Sequence, residues 1–243
     1  MGLTERGATP VVASFTQVPM LKLVIFDVDG TLVDSQAAIL SAMAGAHAAT
    51  GLTMPDRETV LGIVGLSLPI AMARLHPGLA ENSVAELTAA YKAAYLKLRE
   101  SGGGEAALPF FPGARDALAR LDRAGWLMAI ATGKARRGLQ HVLETQGMET
   151  LFVATQTADD APSKPHPGMV ENILRSTGVD PAAAVIVGDT SFDIEMGRNA
   201  GIEAIGVSWG YHRVRALQAA GARSVIDRFE EIDHALDTAL AVR

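Results

Sequence analysis

The sequence predicts an α/β fold: a Rossmann-like parallel sheet sandwiched by helices, with an all-helical cap inserted after the first strand. Three observations carry this expectation. Leu21–Phe26 is an apolar run that reads as a buried strand and leads into Asp27-Val28-Asp29-Gly30-Thr31. From residue 110 onward, strand-like and helix-like segments alternate, which implies parallel pairing in a layered sandwich. Residues 35–110 carry helical periodicity and no convincing strand.

Residues 1–19 read as a flexible tail, with Arg6 and Glu5 but no apolar block of the kind a signal peptide needs. Met20 stands directly before the first strand as an alternative start. Residues 20–34 and 111–243 then form the α/β core around a cap of residues 35–110. Within the cap, Ser83 with Glu86 gives a capping-box signal, and Val84, Leu87, Tyr91, Tyr95 and Leu98 share one helical face. Gly102, Gly103 and Gly104 end that helix, and Pro109 and Pro112 lead back to the core. The later strands fall at Leu127–Ala131, Leu151–Ala154, Val185–Val187 and Ala204–Val207. Between them Gly113–Ala124, His166–Thr177 and Phe192–Ala200 read as amphipathic helices, stopped by Gly125, Gly178 and Gly201. Glu230–Val242 reads as a last surface helix.

Composition narrows the function. The 243 residues fit one large domain or two small ones at ~100–200 residues each. A formal charge of −6 argues against nonspecific nucleic-acid binding. The chain has no cysteine, which excludes disulfides, thiolate zinc sites and cysteine nucleophiles, and suits a cytoplasmic setting. No apolar run approaches the ~20 residues that span a bilayer, so no membrane partner is expected. His47, His76, His141, His166 and His234 lack ligand-like spacing, which argues against zinc.

Four groups stand after predicted strands: Asp27 and Asp29; Thr132-Gly133-Lys134; Lys164-Pro165; and Asp189 with Asp193. Parallel neighbours would gather all four at one sheet edge. Two acids, a hydroxyl, an ammonium and a second acid pair suit a hard divalent cation beside an oxyanion, and oxygen ligands favour Mg2+. Singly, each is ambiguous. Thr132 could cap a helix, Lys164 could be a solvated loop residue, and Asp189 could cap the helix that follows.

In order and placement these groups resemble the haloacid dehalogenase (HAD) superfamily, in its phosphatase branch with a helical cap. The cap and the segment Trp209-Gly210-Tyr211 resemble phosphoglycolate-phosphatase-like members. The resemblance implies Asp27 as nucleophile, Asp29 as general acid/base, Thr132 as a phosphate ligand and Lys164 as the neutralising cation. It implies a Mg2+ site built from Asp27, the main-chain carbonyl of Asp29, Asp189 and Asp193. Two positions depart from the common pattern. Gly133 replaces a frequent Asn but still offers an amide to phosphate. Gly168 replaces a frequent Asp and puts a helix-start contact in question.

The chemistry agrees with that assignment. An ordinary Asp, with a pKa of about 3.9, leaves Asp27 ionised at neutral pH. Attack on a phosphate dianion then needs cationic relief, which Lys164 and the metal would give. An aspartyl-phosphate forms, and Asp29 protonates the leaving oxygen before accepting a proton from water. The expected activity is hydrolysis of a small phosphomonoester metabolite by a monomer or homodimer, with 2-phosphoglycolate the first substrate to test. A sugar phosphomutase on the same scaffold is the alternative, but residues 35–110 lack the His-Arg pair of such relatives. A phosphoryl-accepting receiver module is a third reading. It is disfavoured by the helical insert and by an acid pair that follows the lysine. The uncharged cap loop Gly62–Pro69 is a candidate leaving-group contact, with Arg74 the nearest cation. His212 is read as a surface-loop residue that could instead line the site mouth.

Overall fold

A computed structural model of the chain describes residues 21–100 and 108–241. Six parallel strands form one sheet in the order β3-β2-β1-β4-β5-β6. They are β1 (Leu23–Phe26), β2 (Leu127–Ala131), β3 (Ala154–Gln156), β4 (Ala184–Gly188), β5 (Glu203–Val207) and β6 (Ser224–Ile226). Because side chains alternate across a strand, a sheet covered on both faces needs apolar residues at every position. The central strands meet this demand, with β1 and β4 buried throughout. Val24, Phe26, Met128 and Val187 join one apolar layer with Leu118 and Leu236. Leu23, Ile25, Ala129 and Ile186 join the other with Met169 and Ile194.

The helices of the α/β part are α5 (Ala114–Arg123), α6 (Arg136–Gln146), α7 (Gly168–Thr177), α8 (Ser191–Asn199), α9 (Val214–Ala220) and α10 (Ile232–Leu240), where numbering follows the four that come before them. Those four are α1 (Gln36–Thr50), α2 (Arg57–Leu61), α3 (Leu68–Leu75) and α4 (Glu81–Glu100), all between β1 and β2. They share an apolar cluster of their own, including Met43, Val60, Met72, Leu87 and Tyr91. Helices α1 and α4 lie close enough that a Cβ on Gly45 would stand 3.1 Å from that of Ala94. The chain leaves for and returns from this helical region along paired backbones. Asp34 N–H donates to Pro109 O at 2.9 Å, and Phe111 N–H donates to Leu32 O at 2.9 Å.

Some boundaries differ from the sequence reading. Leu151 lies in a turn and Phe152 plugs the core, so the third strand starts only at Ala154. Ser83 and Glu86 sit inside α4, which begins at Glu81, so they form no capping box. The helix expected from His166 begins at Gly168, and the C-terminal one is a short 3-10 turn followed by α10. β6 and α9 escaped notice: β6 is three residues long, and α9 buries only Leu217. The tail of residues 1–19, Met20, Gly102–Gly104 and Val242 lie outside the described residues.

Helix α8 packs so tightly on β4 that a Cβ on Gly197 would come within 2.4 Å of the Ile186 side chain. Gly197→Val is therefore expected to destabilise the protein by about 1–3 kcal/mol through overpacking. Urea unfolding checks this, and an unchanged midpoint would contradict such close packing.

Candidate active site

The strand order reverses at β1, with β2 and β3 on one side and β4–β6 on the other. Open α/β sheets hold ligands at the carboxyl ends of the strands flanking such a reversal. Asp27 follows β1, Thr132 follows β2 and Asp189 follows β4, so three of the four sequence groups start side by side. The fourth, Lys164, comes in on the loop between β3 and α7, its side chain fully buried.

Lys164 Nζ lies 2.8 Å from Asp27 Oδ1 and 2.6 Å from Asp193 Oδ1. Asp27, Asp189 and Asp193 each offer a carboxylate oxygen within 4.8 Å of the others, and all three are buried. Asp189 is held rigidly: Thr31 Oγ1 donates to one oxygen at 2.9 Å, and Tyr211 N–H donates to the other at 2.8 Å. Asp193 does double duty. It accepts from Thr190 N–H at 3.0 Å and Thr190 Oγ1 at 2.6 Å, forming the capping box that starts α8, while its other oxygen holds Lys164. Glycines let these parts approach. A Cβ on Gly30 or Gly210 would overlap the Asp189 carboxylate, and one on Gly188 would overlap Asp193. Gly30 also has φ 89°, a conformation that favours glycine.

The electrostatics are unbalanced. Three buried carboxylates face one ammonium, a formal excess of −2 if all are ionised. Burial, only partly offset by Lys164, pushes Asp27 up to about 7 instead of leaving it fully ionised as the sequence suggests. Burial, with Asp193 and Asp27 close by, also raises Asp189 well above the carboxylate range. Lys164 is raised because its two carboxylates outweigh its own desolvation. Asp27 Oδ2 is buried with no hydrogen-bond partner among the described residues. An orphaned carboxylate oxygen beside an excess of two negative charges fits a hard divalent cation, held by Asp27, Asp189 and Asp193.

Asp29 stands apart from that cluster. Its carboxylate pairs with Lys134 Nζ at 3.2 Å, and Lys134 lies over the Tyr95 ring of α4 at 5.4 Å. A cavity of about 460 Å³ opens from Asp27, Asp29, Thr132 and Gly133 toward the helices α1, α3 and α4. Gly133 is pressed against the 62–69 loop: its Cβ, if present, would stand 2.3 Å from Gly65 O. Ser67 N–H donates to Ser163 Oγ at 2.9 Å, tying that loop to the lysine-bearing segment. His212 is not a plain surface residue. Its Nδ1 accepts from Ser191 N–H at 3.0 Å and its Nε2 faces Gly62 O at 3.2 Å, bridging α8 and the same loop. Arg74 is exposed and stacks on Phe192 at 5.2 Å. Gly168 keeps a helix-start contact after all, because its N–H donates to His166 Nδ1 at 3.1 Å.

Sequence reasoning assigned no role to Thr31, Lys134, Tyr95, Tyr211 or Thr190. Only Thr190 had a readable signal, the Thr-x-x-Asp spacing of its capping box. The others act across long sequence separations, as Thr31 does on Asp189.

A parallel α/β core with an acid cluster and a buried ammonium at the strand ends, and a helical region between β1 and β2, suits a hydrolase that handles an oxyanion. Comparisons with known proteins agree. Residues 24–207 match the family described as haloacid dehalogenase-like hydrolase. The probable phosphatase IndB of Dickeya dadantii (strain 3937) is 36% identical, over 88% of this chain and 92% of that protein. A phosphoglycolate phosphatase of Pseudomonas fluorescens (strain Pf0-1) is 28% identical, over 91% of this chain and 82% of its own. Among solved structures, CbbY from Rhodobacter sphaeroides in complex with phosphate aligns with TM-score 0.75 at 25% identity, covering 90% of this chain and 100% of that one. The chain belongs to the haloacid dehalogenase-like hydrolase family, and it is a phosphatase.

A carboxyl whose pKa is raised on folding holds its proton in the folded state where the unfolded chain has lost it. Between the unfolded value of 3.8 and about 7, the folded state therefore binds more protons, and stability falls as pH rises through that window. Chelator-treated protein is expected to lose melting temperature from about pH 5 to about pH 8, and added Mg2+ to restore more at the higher pH. Scanning calorimetry checks this. An equal Mg2+ effect at both values would contradict the proposed charge excess.

Proposed function

We propose that this phosphatase hydrolyses small phosphomonoesters through an aspartyl-phosphate on Asp27, with Mg2+ as cofactor. The observation that carries the reading is the Asp27 carboxylate itself. It sits at the floor of the cavity, 2.8 Å from the Lys164 ammonium, with one oxygen lacking any hydrogen-bond partner among the described residues. Asp27, Asp189 and Asp193 would hold the cation, with the main-chain carbonyl of Asp29 as a further ligand. When bound, it would offset the charge of phosphate and nucleophile.

The chain's own residues supply the rest. Lys164 lowers the cost of bringing a phosphate dianion to a carboxylate, and it acts from a site without solvent, where the interaction is strongest. Asp27 attacks phosphorus, the P–O bond to the alcohol breaks, and the alcohol oxygen takes a proton from Asp29. Asp29 then takes a proton from the water that splits the acyl phosphate and returns Asp27. Lys134, paired with Asp29, holds that carboxyl toward the cavity. Thr132 and the Gly133 amide are the proposed phosphate ligands, at the start of the loop after β2. We read helices α1–α4 as a cap whose 62–69 loop closes the site against water, through its contacts with Gly133, Ser163 and His212. Among the described residues no helix is long and apolar enough to cross a membrane, in keeping with a small diffusible substrate.

Asp27→Asn keeps the shape of the side chain and removes the nucleophile. It is expected to lower kcat at least about 10³-fold while the melting temperature holds or rises, since a neutral amide relieves the charge excess. Phosphate release from a panel of phosphorylated metabolites, with and without Mg2+, checks both points. Undiminished turnover in the variant would overturn the mechanism.

A further inference from the structure

We propose that the phosphate is carried by an uncharged, largely apolar alcohol, preferably one with an aromatic body, and not by a small hydroxy acid. This rests on the reading of Asp27 and Asp29 as the reacting end of the cavity and extends it to the leaving group. The cavity continues from those carboxylates into the helical region, where Met43 of α1, Leu66 of the 62–69 loop, Leu68 of α3 and Tyr91 and Tyr95 of α4 line it. The two tyrosine rings lie 5.9 Å apart on one wall, a surface suited to stacking a planar group. Besides Lys164, Lys134 is the cation at the reacting end, where it is paired with Asp29 at 3.2 Å. The other charged groups of the lining are the exposed Lys92, Arg137 and Asp159 and the half-buried Arg99.

A carboxylate one or two carbons from the phosphoryl group would therefore sit mostly among apolar side chains, with Lys134 already engaged by Asp29. An apolar body of the same or larger size would gain from burial at every added carbon, and the volume of about 460 Å³ leaves room for one well beyond the phosphoryl group. Discrimination in such a pocket amounts to roughly tenfold or more per methylene.

The test is a kcat/KM comparison, with Mg2+ present, of methyl, butyl, benzyl and 2-naphthylmethyl phosphate, all esters of alcohols, against 2-phosphoglycolate, in the wild type and in Leu68→Lys. The expected result is a rise along the uncharged series, with 2-naphthylmethyl phosphate at least about tenfold above 2-phosphoglycolate. In Leu68→Lys that ratio is expected to fall at least about tenfold, because a cation then replaces an apolar side chain of the wall. A Mg2+-dependent melting shift shows that the variant is folded. Leu68→Ala, a smaller change, is expected to lower the 2-naphthylmethyl value in the same direction. Equal or better use of 2-phosphoglycolate by the wild type would overturn this inference and leave the phosphatase mechanism standing. Absence of phosphate release from every ester would overturn both.

Discussion

Asp27, Asp189 and Asp193 crowd around one buried ammonium, and most of the structure near the strand ends can be understood as what it takes to keep them there. Like charges at such spacing repel, and burial removes the water that would screen them. The fold answers with fixed donors: Thr31 and the Tyr211 amide on Asp189, Thr190 and Lys164 on Asp193. Asp27 receives only Lys164 on one oxygen, and its second oxygen stays without a donor among the described residues. That asymmetry supports the proposed assignment of Asp27 as the reacting carboxylate and of the other two as its supports.

The supports reach back into the architecture. Asp193 caps α8 and anchors Lys164 at once, so the helix start and the position of the ammonium are set by one side chain. Phe192, next to it, leaves the sheet and packs into the apolar cluster of α1–α4. His212 bridges the backbone of Ser191 to Gly62. The segment that carries the acid pair is therefore also the segment on which the helical region rests. A shift of the 62–69 loop would be felt at the carboxylates through these contacts.

Much of this was legible in the sequence, for a definite reason. Buried parallel strands must be apolar at every position, so Leu23–Phe26 and Ala184–Gly188 stand out, and the first polar residues after them mark the sheet edge. Asp27, Asp29, Thr132 and Asp189 were found that way. Lys164 and Asp193 came from their order along the chain. Short edge elements such as β6 and α9 bury too few side chains to leave a pattern, and Phe152 looked like strand because a core plug and a strand are equally apolar. The raised pKa of Asp27 was out of reach, since it comes from burial beside residues more than 100 positions away in the chain. Lys134 meets Asp29, and Tyr95 meets Lys134, only through tertiary packing.

The most direct test of the central claim is borohydride trapping during turnover, followed by peptide mapping. An acyl phosphate is reduced where a free carboxylate is not, so the reduced side chain identifies the residue that carried the phosphoryl group. The account predicts reduction at Asp27 alone. Reduction at Asp29 or Asp189, or none during steady phosphate release, would contradict it.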